Sequence, residues 1–166
     1  MLRRPLAALL LIALGSAAGL ALHLATAKGD TMFAGKRPEY LGVKDGRLAR
    51  AKSTPNCVSS QAEPADTEHT IAPIRFKGSA LDAIAAARRA VEGMERALVV
   101  RHEGNYLYAE FKSKLMGFVD DVEFTYDEKA GQLHVRSASR LGRRDFGVNR
   151  ARVEALRSLI EGRIKT

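Results

Sequence analysis

Cysteine is nearly absent: Cys57 is the only one in 166 residues. No intrachain disulfide can form, so the fold must be held by its core in whatever redox compartment it occupies. Metal-ligand spacing is missing as well. The four histidines, His23, His69, His102 and His134, stand in unrelated contexts. Without cysteine pairs or an H-E-x-x-H there is no zinc pattern. A G-x-S-x-G elbow, an S-x-x-K pair and a phosphate-cradling glycine-rich loop are absent too. Standard hydrolases, kinases and metalloenzymes are therefore disfavoured, and no metal or cofactor is expected. Acidic residues are lacking from residues 1–27, where Arg3 and Arg4 are the only charges.

That acid-free start is an apolar segment. Leu6 to Leu24 is interrupted only by Ser16 and His23. As a helix its nineteen residues would span roughly 28 Å, close to the hydrocarbon thickness of a bilayer. The basic residues precede the run, which leaves the N-terminus in the cytoplasm and exports the remainder. Ala25-Thr26-Ala27 reads as a signal-peptidase site. Residues 1–27 are thus either a signal peptide removed near Ala27 or a transmembrane anchor formed by residues 6–24. Both place residues 28–166 in the periplasm or its equivalent. Of the net charge of +8, the exported part keeps +6.

Residues 28–65 lack sustained periodicity and are punctuated by Gly29, Gly35, Pro38, Gly42, Gly46, Pro55 and Pro64. They read as an extended basic arm, a solvated tether or a segment lying on an anionic membrane. From residue 66 the pattern is that of a domain. Thr70–Phe76 suggests a short edge strand limited by Pro73. Ser79 with Asp82 makes a capping box before a helix whose stripe is Leu81, Ile84, Ala87 and Val91, ended by Gly93. Four strand-like runs follow, at 96–102, 105–113, 117–126 and 132–139, the first two joined by a turn at Glu103-Gly104. A last helix is expected from Asn149 as N-cap, with Val153, Leu156, Ile160 and Ile164 buried.

Alternation puts Leu98, Val100, Leu107, Ala109, Phe111, Phe118, Val122, Phe124, Leu133 and Val135 on one face. The expected fold is α+β: a four-stranded antiparallel meander with two helices on one face, preceded by the N-terminal apolar helix. If Phe124 lies opposite Val135, Asp120 falls opposite Ser139 and Glu123 opposite Arg136. Asp120 then faces the core and needs a partner, Ser139 or an arginine from the 140–144 loop. Asp121 and Glu123 face the polar side.

Several blocks carry a family likeness: Leu41-Gly42-Val43-Lys44-Asp45-Gly46-Arg47-Leu48, Ser53-Thr54-Pro55-Asn56-Cys57-Val58-Ser59-Ser60, Phe118-Val119-Asp120-Asp121-Val122-Glu123-Phe124, Arg136-Ser137-Ala138-Ser139-Arg140-Leu141-Gly142 and Asp145-Phe146-Gly147-Val148-Asn149-Arg150. Over residues 41–160 the chain resembles the family called domain of unknown function 1499, found in bacterial envelopes and plant plastids. The resemblance implies an envelope location and supplies no activity, cofactor or catalytic residue. Relatives often carry a second cysteine shortly before the Pro-Asn-Cys element, where this chain reads Ala49-Arg50-Ala51-Lys52, so no role for a cysteine pair is carried over.

In an up-down-up-down meander, the 113–117 connection and the 140–148 loop share one end of the sheet. That end gathers Lys114, Asp120, Ser139, Arg140, Arg143, Arg144, Asp145 and Asn149, the expected binding site for an anionic group. Export disfavours nucleic acid as the partner. The leading expectation is a non-catalytic envelope protein binding an anionic small molecule, lipid headgroup or protein. The alternatives are an enzyme of unfamiliar class using Cys57 or Asp120, with Cys57 as a reactive thiol, and a purely structural envelope factor.

Overall fold

The computed structural model describes residues 33–162, so the apolar N-terminal run and Ile164 lie outside the described residues. Strands β1 (Cys57–Ser59) and β2 (Ile74–Arg75) precede helix α1 (Ala80–Glu92). Strands β3 (Ala97–Glu103), β4 (Tyr106–Lys112), β5 (Val119–Asp127) and β6 (Gln132–Ser139) follow, then helix α2 (Val148–Gly162). The sheet is antiparallel with order β1-β6-β5-β4-β3, and β2 also pairs with β6. The four-stranded meander is therefore extended at its β6 edge into a six-stranded sheet, with β3 as the other edge. Its extra edge is shared by two short strands, β1 against Arg136–Ala138 and β2 against Gln132–Leu133. The first of these comes from the segment read as an arm.

Among the described residues the expected β5–β6 register holds: Phe124 faces Val135, Asp120 faces Ser139 and Glu123 faces Arg136. Helices α1 and α2 both cover the face bearing Leu107, Val122, Phe124, Leu133 and Val135. The capping box at Ser79 forms, with the Asp82 amide donating to Ser79 Oγ at 3.2 Å and the Ser79 amide to Asp82 Oδ2 at 3.3 Å. Val153, Leu156 and Ile160 are fully buried along α2.

Three local expectations are corrected. Leu81 is exposed, because α1 turns a face of small residues, Ala83, Ala86, Ala87 and Ala90, onto the sheet beside Ile84 and Val91. Leu98 and Val100 point away from the helices, since Ala97 and Val99 take the core side opposite Phe111 and Ala109. Four consecutive apolar residues leave alternation without a marker there, and a bulge between Val99 and Arg101 then shifts the phase. The β3–β4 turn is Gly104-Asn105, since Glu103 still pairs with Tyr106.

The second face of the sheet is not open to water. Residues 33–53 run across it, and Leu41 and Leu48 pack there against Tyr106, Tyr108 and Val100. At Gly42 the arm takes φ of +133° and its amide donates to Glu123 Oε1 at 2.8 Å. A side chain at that position would meet the Arg101 guanidinium.

Candidate functional site

The arginines in and after β6 divide into two groups. Arg136, Arg140 and Arg152 are consumed inside the domain. Arg136 is fully buried and donates to Glu123 Oε2 at 3.2 Å, while its guanidinium lies over the Tyr40 ring of the arm at 5.5 Å. Glu123 is completed by the Tyr106 hydroxyl at 2.8 Å. Arg140 grips Asp121 through Nε at 3.0 Å and Nη2 at 2.8 Å, and also pairs with Glu110. The arm supplies the fourth member of that cluster, Arg37, whose Nε reaches Glu110 at 2.7 Å. Burial alone would push the Glu110 carboxyl up, but bonds from Arg37, Tyr108 and Arg140 hold it below the usual range. Burial together with these carboxylates pushes the Tyr106 and Tyr108 phenols well above theirs.

The helix side of the sheet holds a third polar group. Asp120 is paired with Arg152 of α2 at 2.6 Å, which corrects the expectation of Ser139 or an arginine from the 140–144 loop. Position 152 falls one turn into α2, beside the start of β5, whereas Arg140 is engaged by Asp121 and Glu110 and Arg143 and Arg144 are exposed. Asn149 is not an N-cap: it is fully buried inside the first turn of α2. Its Nδ2 donates to the Asn56 carbonyl at 3.1 Å, Ser139 Oγ at 2.9 Å and Asp145 Oδ2 at 2.8 Å. Its Oδ1 accepts from Ser137 Oγ at 2.5 Å and Arg152 Nη1 at 2.7 Å. The capping carboxylate is Asp145, which accepts from the Gly147 amide at 3.1 Å and the Asn149 amide at 2.8 Å. The start of α2 is thus already occupied by an internal anion.

Of the expected site, Asp120, Ser139, Arg140, Asp145 and Asn149 are therefore tied into the fold. Lys114, Arg143 and Arg144 stand exposed, with no ion pair or hydrogen bond from their side chains among the described residues. Their loops do share one end of the sheet. The amide of Phe118 donates to Ser113 Oγ and that of Arg140 to the Val119 carbonyl, bringing 113–118 beside the start of 140–148.

Cys57 has about 1% of its surface exposed, and burial pushes its thiol above the ordinary range despite the nearby Arg136. A reactive thiolate needs the opposite environment.

Two clefts open at the other end of the domain, where sequence reasoning placed nothing. One, of about 730 Å³, is lined by residues including Glu103, Asn105, Tyr106, Thr125 and His134. The second, of about 860 Å³, adjoins it through His134 and Asp127 and includes Arg47, Ser60 and Asp66. His134 Nδ1 is 3.2 Å from Ser60 Oγ, and burial lowers the imidazole's affinity for a proton. Ser60 Oγ already accepts the Val135 amide at 2.9 Å, so the pair ties β6 to the turn after β1. No cluster of histidine, cysteine and carboxylate side chains among the described residues has the makings of a metal site.

The profile of one protein family matches residues 47–160. The chain belongs to the DUF1499 family. That family is described as a protein of unknown function, and it brings no assigned site to these residues. No curated protein matches the chain. The family match spans both the meander and the Asn56–Ser59 segment, so the arm's second half belongs to the DUF1499 unit rather than to a linker before it.

Proposed function

We propose that this DUF1499 chain is an exported, non-catalytic envelope protein that binds anionic groups through Lys114, Arg143 and Arg144 at the loop end of its sheet. One observation carries the reading. The buried arginines are matched to carboxylates, Arg136 to Glu123, Arg140 to Asp121 and Glu110, and Arg152 to Asp120, whereas these three cations are left to solvent. Asp145 is the one acid within 113–118 and 140–148, and it is engaged by two backbone amides. The end is therefore a small field of unneutralised positive charge, favourable to phosphate or carboxylate.

The non-catalytic part rests on the fate of the two candidate reactive groups. Cys57 is buried with its thiol held protonated, and the Asp120 carboxylate is engaged by Arg152. Neither lines the two clefts described above.

Co-sedimentation with phosphatidylglycerol vesicles and titration with a panel of phosphate esters test the reading. Arg143→Ala with Arg144→Ala should weaken binding, more at low salt than at high, with an unchanged melting temperature. Substitutions at Glu103 or Lys129, at the opposite end, should leave binding as it is. Normal binding by the arginine variants overturns the proposal.

A further inference from the structure

The same end is apolar in a way that headgroup binding does not require. Eleven large hydrophobic side chains are exposed among the described residues, and six of them, Phe33, Leu115, Met116, Leu141, Phe146 and Val148, belong to this end. Phe146 and Leu115 are the two most exposed, at 96% and 93%. The unpaired cations stand close by in sequence: Lys114 precedes Leu115, and Arg143 and Arg144 precede Phe146 across Asp145, whose carboxylate is taken up by the Gly147 and Asn149 amides.

Phe146 is also conformationally out of place. Its φ is +53°, in the left-handed region that a bulky residue seldom occupies, and Gly147 follows at +83°. The fold gains no burial from this ring and holds its backbone in a costly state. A bulky residue that is strained and unburied points to a role outside the domain's own packing.

The chain's entry point supplies the occupant. Phe33 stacks on Phe118 at 5.4 Å between centroids, and Gly35 abuts Leu141, so the arm begins between these two loops. Phe33 stands nine residue steps along the chain from Leu24, the end of the apolar run. Fully extended they reach roughly 30 Å, so a chain anchored by that run would hold this end of the domain within reach of a bilayer. Exposed apolar tips flanked by unpaired cations match the two layers of an anionic membrane surface, acyl chains beneath phosphates.

We propose that the loop end of the domain docks on an anionic bilayer with Leu115, Met116 and Phe146 inserted below the headgroups. This rests on the headgroup reading above and adds insertion to it. The cations hold the surface, and the apolar tips fix the depth and orientation of the domain.

The chain contains no tryptophan, so a single introduced one reports without background. Leu115→Trp and Phe146→Trp, made in the chain as its host leaves it and placed with lipid nanodiscs, should blue-shift and be quenched by brominated acyl chains. Lys129→Trp, at the far end, should not be. The effect should be strong with phosphatidylglycerol and weak with phosphatidylcholine. Leu115→Ser combined with Phe146→Ser should lower partitioning roughly tenfold or more. Phe146→Gly should weaken binding while the melting temperature stays level or rises, which a purely structural Phe146 would not allow.

Unquenched tryptophans in a protein whose arginine variants still lose vesicle binding would overturn insertion and leave the headgroup reading standing. Unquenched tryptophans with unaffected arginine variants overturn both. Concentration-dependent dimerisation that blue-shifts Leu115→Trp without lipid would make a second copy the occupant, and insertion would fall.

Discussion

Glu123 and Arg136 face each other across β5 and β6 with no solvent exposure at all, their charged atoms 3.2 Å apart. The pair is closed in by the Tyr106 hydroxyl and by the Gly42 amide and Tyr40 ring of the arm. Removing one member strands the other in a low-dielectric site. Arg136→Met should therefore cost about 3–5 kcal/mol, whereas combining it with Glu123→Leu should recover a large part of that loss. Urea unfolding of the single and double variants measures both numbers.

The register of this pair was legible in the sequence, and its burial was not. Alternation fixed which residues share a face, and Phe124 opposite Val135 carried Asp120 and Glu123 to their partners. Periodicity reports the polarity of a face, not what covers it. Asp121, Glu123 and Arg136 read as a solvated polar face, while the segment that covers them is aperiodic, rich in glycine and basic. A cover of that kind packs through single contacts such as Leu48 and Arg37, which leave no repeating signal. The balance of opposite charges between β5 and β6 was the available hint. In the same way, the expected anion site mixed free cations with an arginine already paired, because spacing along the chain does not distinguish Arg144 from Arg140.

The arm should behave as part of the fold. Gly42→Ala places a Cβ at φ of +133° and against the Arg101 guanidinium, beside the amide that completes Glu123. We expect a loss of about 1–3 kcal/mol. Amide exchange across residues 40–48 should quicken more than exchange in α1, which a tether without packing would not show.

Asn149 should matter as much as a core hydrophobe. Its side chain joins α2 to β6 and to the Asn56 carbonyl, so Asn149→Ala leaves several buried polar groups unpartnered at once. A cost of about 2–4 kcal/mol is expected in denaturant unfolding, and Asn149→Asp should not rescue it, because the new charge would face Asp145 at close range.

Cys57 should resist alkylation in the folded chain. With about 1% exposure and a thiol pushed up by burial, iodoacetamide at neutral pH should label it only as fast as the domain opens, and at once in 6 M guanidinium. Rapid labelling of the native chain would revive the enzyme reading.

His69 sets the pH dependence of the segment between β1 and β2. Its Nδ1 lies 2.7 Å from Asp66 Oδ1 and its Nε2 3.1 Å from the Thr54 carbonyl, both acceptors, so both nitrogens donate only when the ring is protonated. Burial works against that charge, but Asp66 and the carbonyl outweigh it and the pKa is raised; Asp66 in turn is lowered by the hydrogen bond from His69. A raised histidine contributes stability that is complete below about pH 6.5 and disappears as pH climbs through the folded-state value. A lowered aspartate contributes stability that is complete above about pH 4 and disappears as pH falls through its folded-state value. The two together give a plateau between those limits with a decline on either side. His69→Gln should flatten both limbs, and unfolding free energies measured from pH 3 to pH 9 would show it. If the variant keeps the alkaline limb of the parent chain, the titration responsible belongs to another group and the imidazolium assignment is wrong.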